Sequence, residues 1–398
     1  MKRQSVLAIV ALVLTFAGTQ AIGYNVSEFP ICTNDANQIN PAINGSIIVW
    51  QDYRNGNWDI YGYDLSTQTE FPICLNSADQ INPDISSNTN VNPNVNGSIV
   101  VWEDHRRDLL NDVNTGIYGY NLSQRKELRI YGTNYSYQFD PAIDGNFIIW
   151  WEYTPGSVLP SHVKLNGYYL PGHTKFLIEE GSYYRKLDIS GCKVTWYSDY
   201  LESKMYDFCN HVYFSVESQA RISGDVVVFS SQDGLNYHIG YIDFSRPRYS
   251  QVFGITTYYS HIITYNDPNP CGSSIGFPNC NYVQGWAPNI GGKIIVWENW
   301  GGIEGNAIYG FDISTMIWFP ICKSNGWNRN PAVDGNIVVW EDKRNGNYDI
   351  YGARLEPFCL GKPEMDFNYD CKVDFADLAI MASSWLECNL VPESACWE

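Results

Sequence analysis

The chain has 398 residues, of which 44% are apolar and 15% aromatic, enough for a large core or more than one domain. It carries 43 acidic and 25 basic side chains, a formal net charge of -18 at pH 7. A surface of this charge repels nucleic-acid phosphates and anionic lipid headgroups, so we expect no nucleic-acid partner.

The first 21 residues have the pattern of a secretory signal peptide. Lys2 and Arg3 precede an apolar run from Val6 to Ala17, and small residues surround a cleavage point after Ala21. The run is shorter than the ~20 residues of a membrane span, and no later segment is long and apolar enough to cross a bilayer. We therefore expect a soluble, secreted chain without a membrane span, with an uncleaved anchor as the alternative.

Seven repeated units follow the signal. Each opens on a Pro-x-x-[Asn/Asp]-Gly turn or a worn form of it, continues with an apolar run ending in an aromatic residue, and then has an Ile-Tyr-Gly-Tyr-like run. The turns begin at Pro41, Pro93, Pro141, Leu187, Ala220, Pro288 and Pro331, and the aromatics are Trp50, Trp102, Trp150, Trp196, Phe229, Trp297 and Trp340. The third runs begin at Ile60, Ile117, Ile239, Ile308 and Ile350, with degenerate versions near Gly167 and Val212. Such units predict four short strands each and no helix.

The spacing of the units predicts the fold. Most of the aromatics lie about 40–50 residues apart, which is the period of four-stranded propeller blades. A first Phe-Pro-Ile-Cys, Phe29–Cys32, precedes the first unit, while the last unit, from Pro331 to Leu355, stops before its own copy. We therefore predict an all-β, seven-bladed β-propeller over residues 22–357, closed by an N-terminal strand at Phe29–Cys32 that pairs with Asp349–Leu355. A β-sandwich is the rival, but it would not repeat at this period.

The residue pattern of the units resembles that of a known family. A Pro-x-x-[Asp/Asn/Ser]-Gly turn leads into an apolar strand and then an Asp-Ile-Tyr strand. This pattern resembles the TolB-like propeller repeats of secreted bacterial proteins. The resemblance implies an architecture and a bacterial, extracellular or cell-surface location, since propellers host unrelated functions.

The segment Arg54–Asn57 and its copy Arg344–Asn347 predict tight hairpin turns, because Asn-Gly adopts the positive φ angles that such turns need. Acidic residues flank both turns: Asp52, Asp59, Asp342 and Asp349. They can bind the turn arginine or backbone amides, or they can be read as paired catalytic carboxylates. Because the pattern recurs around the ring, we favour the structural interpretation.

Insertions between repeats predict the binding surface. We interpret Cys74–Asn92 and Gly254–Gly285 as connections from an outer strand to the next inner strand. Expansions between second and third strands are interpreted at Tyr153–Val163, Tyr197–Asn210 and Asn299–Asn306. Both kinds of connection open on one face of a propeller, where a ligand-binding rim is expected. The candidate ligand-binding residues, whose rings can stack on sugars or peptides, are Tyr153, Tyr200, Tyr258, Tyr259, Trp286 and Trp300. Simple loop packing is the alternative.

Eleven cysteines in an exported chain favour disulfides. Cys192 can pair with Cys209, and Cys271 with Cys280. Three cysteines, at equivalent places in different blades, are too far apart to bridge and are predicted to be buried thiols: Cys32, Cys74 and Cys322. The six histidines lack metal-binding spacing and no nucleophile motif occurs, so we assign no catalytic residue.

Residues 358–398 have a different pattern. The segment Asp366–Asp377 places oxygen-bearing residues at the ligand positions of a calcium loop. The predicted calcium ligands are Asp366, Asn368, Asp370, the Lys372 carbonyl, Asp374 and Asp377. Apolar residues at helical spacing, from Leu378 to Trp385, predict a helix behind the loop. A solvated acidic turn is the alternative.

This loop and helix resemble the dockerin family, type I, with a single EF-hand loop. The resemblance implies a cohesin-like partner. Two features depart from the family pattern, since Cys371 stands where the family has Gly and only one loop is present. Four cysteines allow two disulfides in three connectivities: Cys359, Cys371, Cys388 and Cys396.

The sequence thus favours a secreted, non-catalytic, monomeric propeller that presents a protein or polysaccharide recognition surface. A calcium-binding tail would attach it to a cohesin-type partner or the cell surface. The alternative is a carbohydrate-active enzyme, a polysaccharide lyase-like propeller carrying a dockerin, since some related propellers are lyases with a histidine-bound metal. A structural envelope component is a third possibility.

Overall fold

The structure is a computed structural model. It describes residues 22–88, 97–106, 115–133, 136–155, 163–181, 184–198, 203–216, 219–233, 236–245, 248–249, 256–257, 260–262, 284–302, 305–322, 324, 326–359, 365, 367 and 375–385. The predicted signal peptide, residues 1–21, lies outside the described residues.

Seven four-stranded antiparallel sheets form the blades of a β-propeller, which confirms the predicted fold class. The chain enters through β1 (Ile22–Cys32), and blade 1 follows with β2 (Gln38–Asn44), β3 (Ile47–Asp52), β4 (Asp59–Asp64) and β5 (Thr69–Cys74). Blade 2 has β6 (Gln80–Asn88), β7 (Gly97–Asp104), β8 (Gly116–Asn121) and β9 (Lys126–Tyr131), and blade 3 has β10 (Tyr137–Asp144), β11 (Phe147–Tyr153), β12 (Val163–Tyr169) and β13 (Thr174–Gly181).

The remaining blades continue in the same order. Blade 4 has β14 (Tyr184–Ser190), β15 (Lys193–Ser198), β16 (Ser203–Asp207) and β17 (Val212–Val216). Blade 5 has β18 (Arg221–Ser223), β19 (Val226–Asp233) and β20 (Asn236–Asp243), then a small hairpin of β21 (Arg248–Tyr249) and β22 (Thr256–Thr257), and its outer strand β23 (Ser260–Ile262). Blade 6 has β24 (Gln284–Gly291), β25 (Ile294–Gly302), β26 (Gly305–Asp312) and β27 (Ile317–Cys322), and blade 7 has β28 (Asn328–Asp334), β29 (Ile337–Asp342) and β30 (Asp349–Cys359).

The first strand closes the ring as the sequence predicts. β1 pairs antiparallel with β30 as the outer strand of blade 7, with Phe29 opposite Gly352 and Cys32 opposite Ile350. The pairing is longer than predicted and continues to Ile22 opposite Cys359. Because β1 covers the edge of β30, blade 7 has the same four strands as the other blades.

Blade 2 corrects one interpretation of the sequence. Its inner strand is β6, which contains Pro83 rather than Pro93, and Ile81 pairs opposite Glu103 of β7. The segment Cys74–Asn92 is therefore not an outer-to-inner insertion. The extra residues, 89–96, join β6 to β7 and lie outside the described residues.

Blades 4, 5 and 6 correct four further assignments. The third strand of blade 4 is Ser203–Asp207, and Val212 belongs to the outer strand. The connection within Tyr197–Asn210 shrinks to residues 199–202, and that within Asn299–Asn306 shrinks to residues 303–304. Within Gly254–Gly285 the chain forms β22 and β23, so the outer-to-inner connection is residues 263–283, which are outside the described residues.

The core lies between neighbouring blades. The seven repeated aromatics are at most 1% exposed, with Phe229 and Trp297 at 1% and the five tryptophans of the other blades at 0%. Trp102 of blade 2, for example, packs with Val49, Ile60 and Ile73 of blade 1. Each aromatic therefore joins two blades, which explains why the unit repeats it.

The inner strands surround a central channel of about 550 Å³. In most of these strands a β-bulge shifts the register by one step, as between Ile39 and Ala42 of β2. The bulge residues adopt positive φ values of 46° to 56° and form the first ring of channel residues: Asn40, Asn82, Asp140, Lys186, Gln219, Ala287 and Asn330. Two residues further on lies the second ring: Ala42, Asp84, Ala142, Asp188, Arg221, Asn289 and Ala332. The third ring is Asn44, Ser86, Asp144, Ser190, Ser223, Gly291 and Asp334.

The predicted helix is present as α1 (Phe375–Trp385). No helix among the described residues has the length and apolarity needed to cross a membrane.

Candidate functional site

The repeated Trp-x-Asp-x-Arg pattern forms a junction between two blades. Nε1 of Trp50 donates to Asp52, at 2.9 Å, and the Arg54 side chain donates to both Asp52 oxygens, at 3.0 and 2.6 Å. The same guanidinium lies 4.1 Å from the centre of the Tyr61 ring and 3.1 Å from Sγ of Cys32 in blade 7. This arrangement confirms the structural role expected for Asp52. In the same turn, Asp59 accepts from the side chains of Asn55 and Asn57, at 2.7 and 3.0 Å.

The junction recurs where the sequence repeats. Arg106 binds Asp104, at 2.7 Å, and approaches Cys74 of blade 1, at 3.2 Å. Equivalent contacts occur around Arg344, which binds Asp342 and approaches Cys322. Blade 3 keeps the tryptophan as Trp150 but replaces the other partners, because Lys175 binds Glu152 at 2.5 Å and lies 4.0 Å from the centre of the Tyr131 ring. These acids are each held by a cation of their own blade, which makes them poor candidates for catalysis.

The three equivalent cysteines are free, buried thiols, as predicted. Burial raises the pKa of Cys32 and Cys74 to about 12 and that of Cys322 to about 11. The thiols therefore stay protonated and unreactive at neutral pH. The predicted Cys192–Cys209 disulfide is present and spans blade 4. Cys271 and Cys280 lie outside the described residues.

One of the six predicted rim residues can be assessed in full. Tyr153 ends β11, is half-buried, and stacks on Tyr137 with ring centroids 6.2 Å apart and planes 21° apart. Trp286 and Trp300 lie in β24 and β25, where Trp286 is opposite Glu298, but their side chains are outside the described part of the structure. Tyr200, Tyr258 and Tyr259 are likewise outside it.

A different group of aromatics lies on the face where second-to-third and outer-to-inner connections emerge, here called the connection face. Four rings of blades 7 and 1, here called the aromatic strip, are Trp327, Tyr348, Tyr53 and Trp58. Trp327 is 56% and Tyr53 44% exposed. Tyr53 and Trp58 pack edge to face at 5.0 Å, and the backbones of Tyr53 and Tyr348 both hydrogen-bond to Asn37.

Cations surround one ring of the aromatic strip. The Arg329 guanidinium lies 3.9 Å and the Lys343 ammonium 5.2 Å from the centre of the Tyr348 ring. Arg329 is held by Glu341, at 2.5 Å. In the sequence, two of these rings occupy a position of the hairpin turn that differs between copies of the repeat: Trp58 and Tyr348 each follow Asn-Gly-Asn. The asparagines and glycine of those turns indicate a structural role, and nothing in the repeat marks the neighbouring rings as a ligand site.

The channel contains a second group of charged residues. Three second- or first-ring carboxylates accept hydrogen bonds from the inner strand of the following blade: Asp84 from Ile143 N at 2.8 Å, Asp140 from Leu187 N at 3.3 Å, and Asp188 from Ile222 N at 2.8 Å. Burial raises the pKa of all three, that of Asp84 to about 7. Burial and the charge of Arg221 lower the pKa of Lys186 to about 8.

One of the predicted calcium ligands lies among the described residues. Asp377, in the first turn of α1, is 2% exposed, and its Oδ1 accepts from Phe367 N at 2.8 Å. This bond joins the two ends of the predicted loop. The other predicted ligands lie outside the described residues: Asp366, Asn368, Asp370, Lys372 and Asp374. No cluster of three metal-binding side chains occurs within the part of the chain that the structure describes.

Comparisons with solved structures agree with this architecture. The chain is similar to an oligogalacturonate lyase in complex with manganese, with a TM-score of 0.55 and 10% identity over 84% of this chain and 97% of that one. It is also similar to the β-propeller domain of the trilobed protease from Pyrococcus furiosus, with a TM-score of 0.52 and 9% identity over 85% of this chain and 97% of that one. That propeller is described as having an open velcro topology, whereas β1 closes the present ring.

TolB from Acinetobacter baumannii is a weaker match, with a TM-score of 0.43 and 13% identity over 73% of this chain and 67% of that one. Neither protein-family models nor curated protein sequences match the chain. Identities this low show the fold alone. By fold, the chain is a seven-bladed β-propeller with oligogalacturonate lyase and TolB among its structural neighbours.

Proposed function

We propose that the protein is a secreted recognition propeller that binds a polysaccharide on its connection face, without cleaving it. The observation that carries this proposal is the aromatic strip. Trp327 and Tyr53 are large rings that remain largely exposed, at 56% and 44%, on the face where propellers commonly bind ligands. Exposed rings of this kind stack on the apolar faces of sugars.

The neighbouring residues support a carbohydrate ligand. Arg329 and Lys343 place hydrogen-bond donors beside the Tyr348 ring, and the Asn345 and Asn347 side chains lie in the same hairpin. A combination of flat rings and polar groups suits a sugar, which has apolar faces and hydroxyl edges. The repeated acids favour binding over catalysis, because Asp52, Asp104 and Asp342 are each held by an arginine.

The test is a screen of soluble polysaccharides against the full mature chain, followed by tryptophan fluorescence and calorimetry. The double variant Trp327→Ala, Tyr53→Ala should weaken binding about tenfold or more, since each lost stacking contact costs about 1 kcal/mol. Trp318→Ala is the matched control, because Trp318 is 44% exposed but belongs to the outer strand β27. Equal affinity of the double variant and the wild type would exclude the aromatic strip.

The same screen separates binding from catalysis. Bound polysaccharide should keep its length during a long incubation, as measured by size-exclusion chromatography and reducing-end titration. Shortening of the polymer would favour the lyase-like alternative instead.

We also propose that the tail binds calcium and attaches the protein to a cohesin-like partner or to the cell surface. The closure of the loop by Asp377 and Phe367 supports this proposal. Calorimetry with calcium should show one site that Asp377→Asn weakens, while Asp35→Asn, in an exposed turn of the propeller, leaves it unchanged. A pull-down of secreted proteins with and without calcium, comparing the full chain with one ending at Cys359, tests the attachment.

A further inference from the structure

The first two rings of the channel have an uneven distribution of donors and acceptors. In most blades, a residue of the second strand accepts a hydrogen bond from the bulge amide of the following blade. Gln51 accepts from Asn82 N at 2.9 Å, Glu298 from Asn330 N at 2.8 Å, and Glu341 from Asn40 N at 2.8 Å. Blade 4 has Tyr197 at this position, opposite Arg185.

Blades 4 and 5 instead contribute cations to the channel. Lys186 replaces the asparagine of the first ring, and Arg221 replaces the alanine found in blades 1, 3 and 7 of the second ring. Among the described residues, Lys186 makes no hydrogen bond or ion pair. Arg221 makes one long hydrogen bond, 3.4 Å from Nη1 to the Leu187 carbonyl, and no ion pair with a described residue.

Gln219 adds a third donor next to these cations. Its Oε1 accepts from Ala287 N at 3.1 Å, which fixes the orientation of the amide. Its NH₂ group has no partner among the described residues and can donate into the channel.

The acids nearby do not neutralise the cations by direct contact. Both oxygens of Asp188 accept backbone amides, from Ile189 at 3.0 Å and Ile222 at 2.8 Å, and Asp140 accepts from Leu187 N. Glu341 is bound by Arg329 and by Asn40 and Asn330. The carboxylates are therefore used in holding blades together, while Lys186 and Arg221 keep free donors in a cavity large enough for a small molecule.

We propose that the channel binds a small oxyanion, a carboxylate or phosphate group, between Lys186 and Arg221, with the Gln219 amide as a third donor. Two charged donors and one neutral donor match the several acceptor lone pairs of such a group. The site is independent of the aromatic strip, because the strip belongs to blades 7 and 1.

The experiment titrates the full chain with inorganic phosphate and, separately, with succinate, by calorimetry at pH 7 and constant ionic strength set with chloride. The two arms distinguish a phosphate site from a carboxylate site. Lys186→Gln and Arg221→Gln should each lower the affinity for the anion about tenfold or more, because each removes a charged hydrogen bond. Lys204→Gln is the control, because it removes the same positive charge at a lysine that does not line the channel. Lys204 lies instead 3.8 Å from Glu179.

Two measurements guard against misfolding of the variants. Arg221→Lys should retain more affinity than Arg221→Gln. The wild-type affinity should fall between about pH 7 and pH 9 as Lys186 loses its proton, and Lys186→Gln should lack this fall. The other charges facing Lys186 are those of Arg221, Glu298, Asp140 and Glu341. The proposal is overturned if neither anion binds, or if both channel variants bind as the wild type does.

Discussion

The Arg54 guanidinium lies 3.1 Å from Sγ of Cys32, although the two residues belong to blades 1 and 7 and meet only because the ring closes. The same pair recurs between blades 1 and 2 as Arg106 and Cys74, and between blades 6 and 7 as Arg344 and Cys322. The repeated sequence motif thus forms the same contact between neighbouring blades each time it occurs. Its arginine neutralises a fully buried aspartate of its own blade while it contacts the blade before it.

Arg106→Met should lower the free energy of unfolding by about 2–3 kcal/mol. The substitution keeps most of the apolar length of the side chain but leaves the buried Asp104 carboxylate without its cation. Urea unfolding at pH 7 measures the change. Lys126→Met on the exposed surface of β9 is the control and should lower the free energy of unfolding by under about 0.5 kcal/mol. Equal losses for both variants would contradict a stabilising role for Arg106 between blades 1 and 2.

Deletion of Ile22–Cys32 should produce a chain that self-associates, because it exposes the edge of β30. Light scattering during size-exclusion chromatography measures the association. Adding a synthetic peptide with the Ile22–Cys32 sequence should reverse this association by strand addition. A control peptide with Phe29 and Ile31 replaced by Asp should fail, since both side chains lie within 3.0 Å of where a Cβ on Gly352 would be.

Gly291→Ser should destabilise the protein by about 2 kcal/mol, although blades 2, 4 and 5 have serine at the equivalent third-ring position. A Cβ at Gly291 would lie 2.3 Å from the Val333 carbonyl oxygen of blade 7. The reverse change, Ser223→Gly, should cost about 1 kcal/mol, because Ser223 accepts a hydrogen bond from Gly292 N at 3.1 Å. Thermal and urea unfolding of both variants would refute this reading if Gly291→Ser were neutral.

Because of Asp84, the free energy of unfolding should fall as pH rises. Its pKa is raised to about 7 by burial, above the ~3.9 of an unfolded aspartate, so the folded state binds the proton more tightly. The stabilising contribution is present below pH 4, is lost between about pH 4 and pH 7, and stays lost above. Asp84→Asn should reduce the slope of unfolding free energy against pH in that window, leaving the parts due to Asp140 and Asp188.

Asp35→Asn, in an exposed turn, is the control for this measurement and should keep the wild-type slope. An unchanged slope in Asp84→Asn would mean that Asp84 does not hold the proton.

The sequence predicted the fold well where the units keep the common residue pattern. The blade count, the closing strand and the buried thiols follow from residues that recur in register, such as Trp50 and Cys74. It failed at blade 2, where Pro93-Asn94-Val95-Asn96-Gly97 matches the turn pattern in full and Pro83-Asp84-Ile85-Ser86-Ser87 lacks its glycine, yet the first copy forms the inner strand. Asp84 distinguishes them, because its hydrogen bond to Ile143 N fixes the first copy as the inner strand. That contact joins residues of different blades and leaves no local signature.

The candidate sites were harder to predict than the fold. The channel residues Lys186, Gln219 and Arg221 belong to two worn units, and only the ring brings them together. The aromatic strip was missed for the opposite reason, since Trp58 and Tyr348 lie inside the best-preserved phrase of the repeat. A repeated turn can hold its backbone with Asn and Gly while its remaining positions are free to serve a ligand.

The pairing of β1 with β30 also bears on how the molecule is made. A ribosome releases Ile22–Cys32 hundreds of residues before Asp349–Cys359, so the first strand must wait unpaired while every intervening blade is synthesised. Contacts between such distant parts of a chain form late and slowly. During that interval the waiting strand is open to pairing with other nascent chains, which makes chaperone protection most valuable just before the last blade emerges.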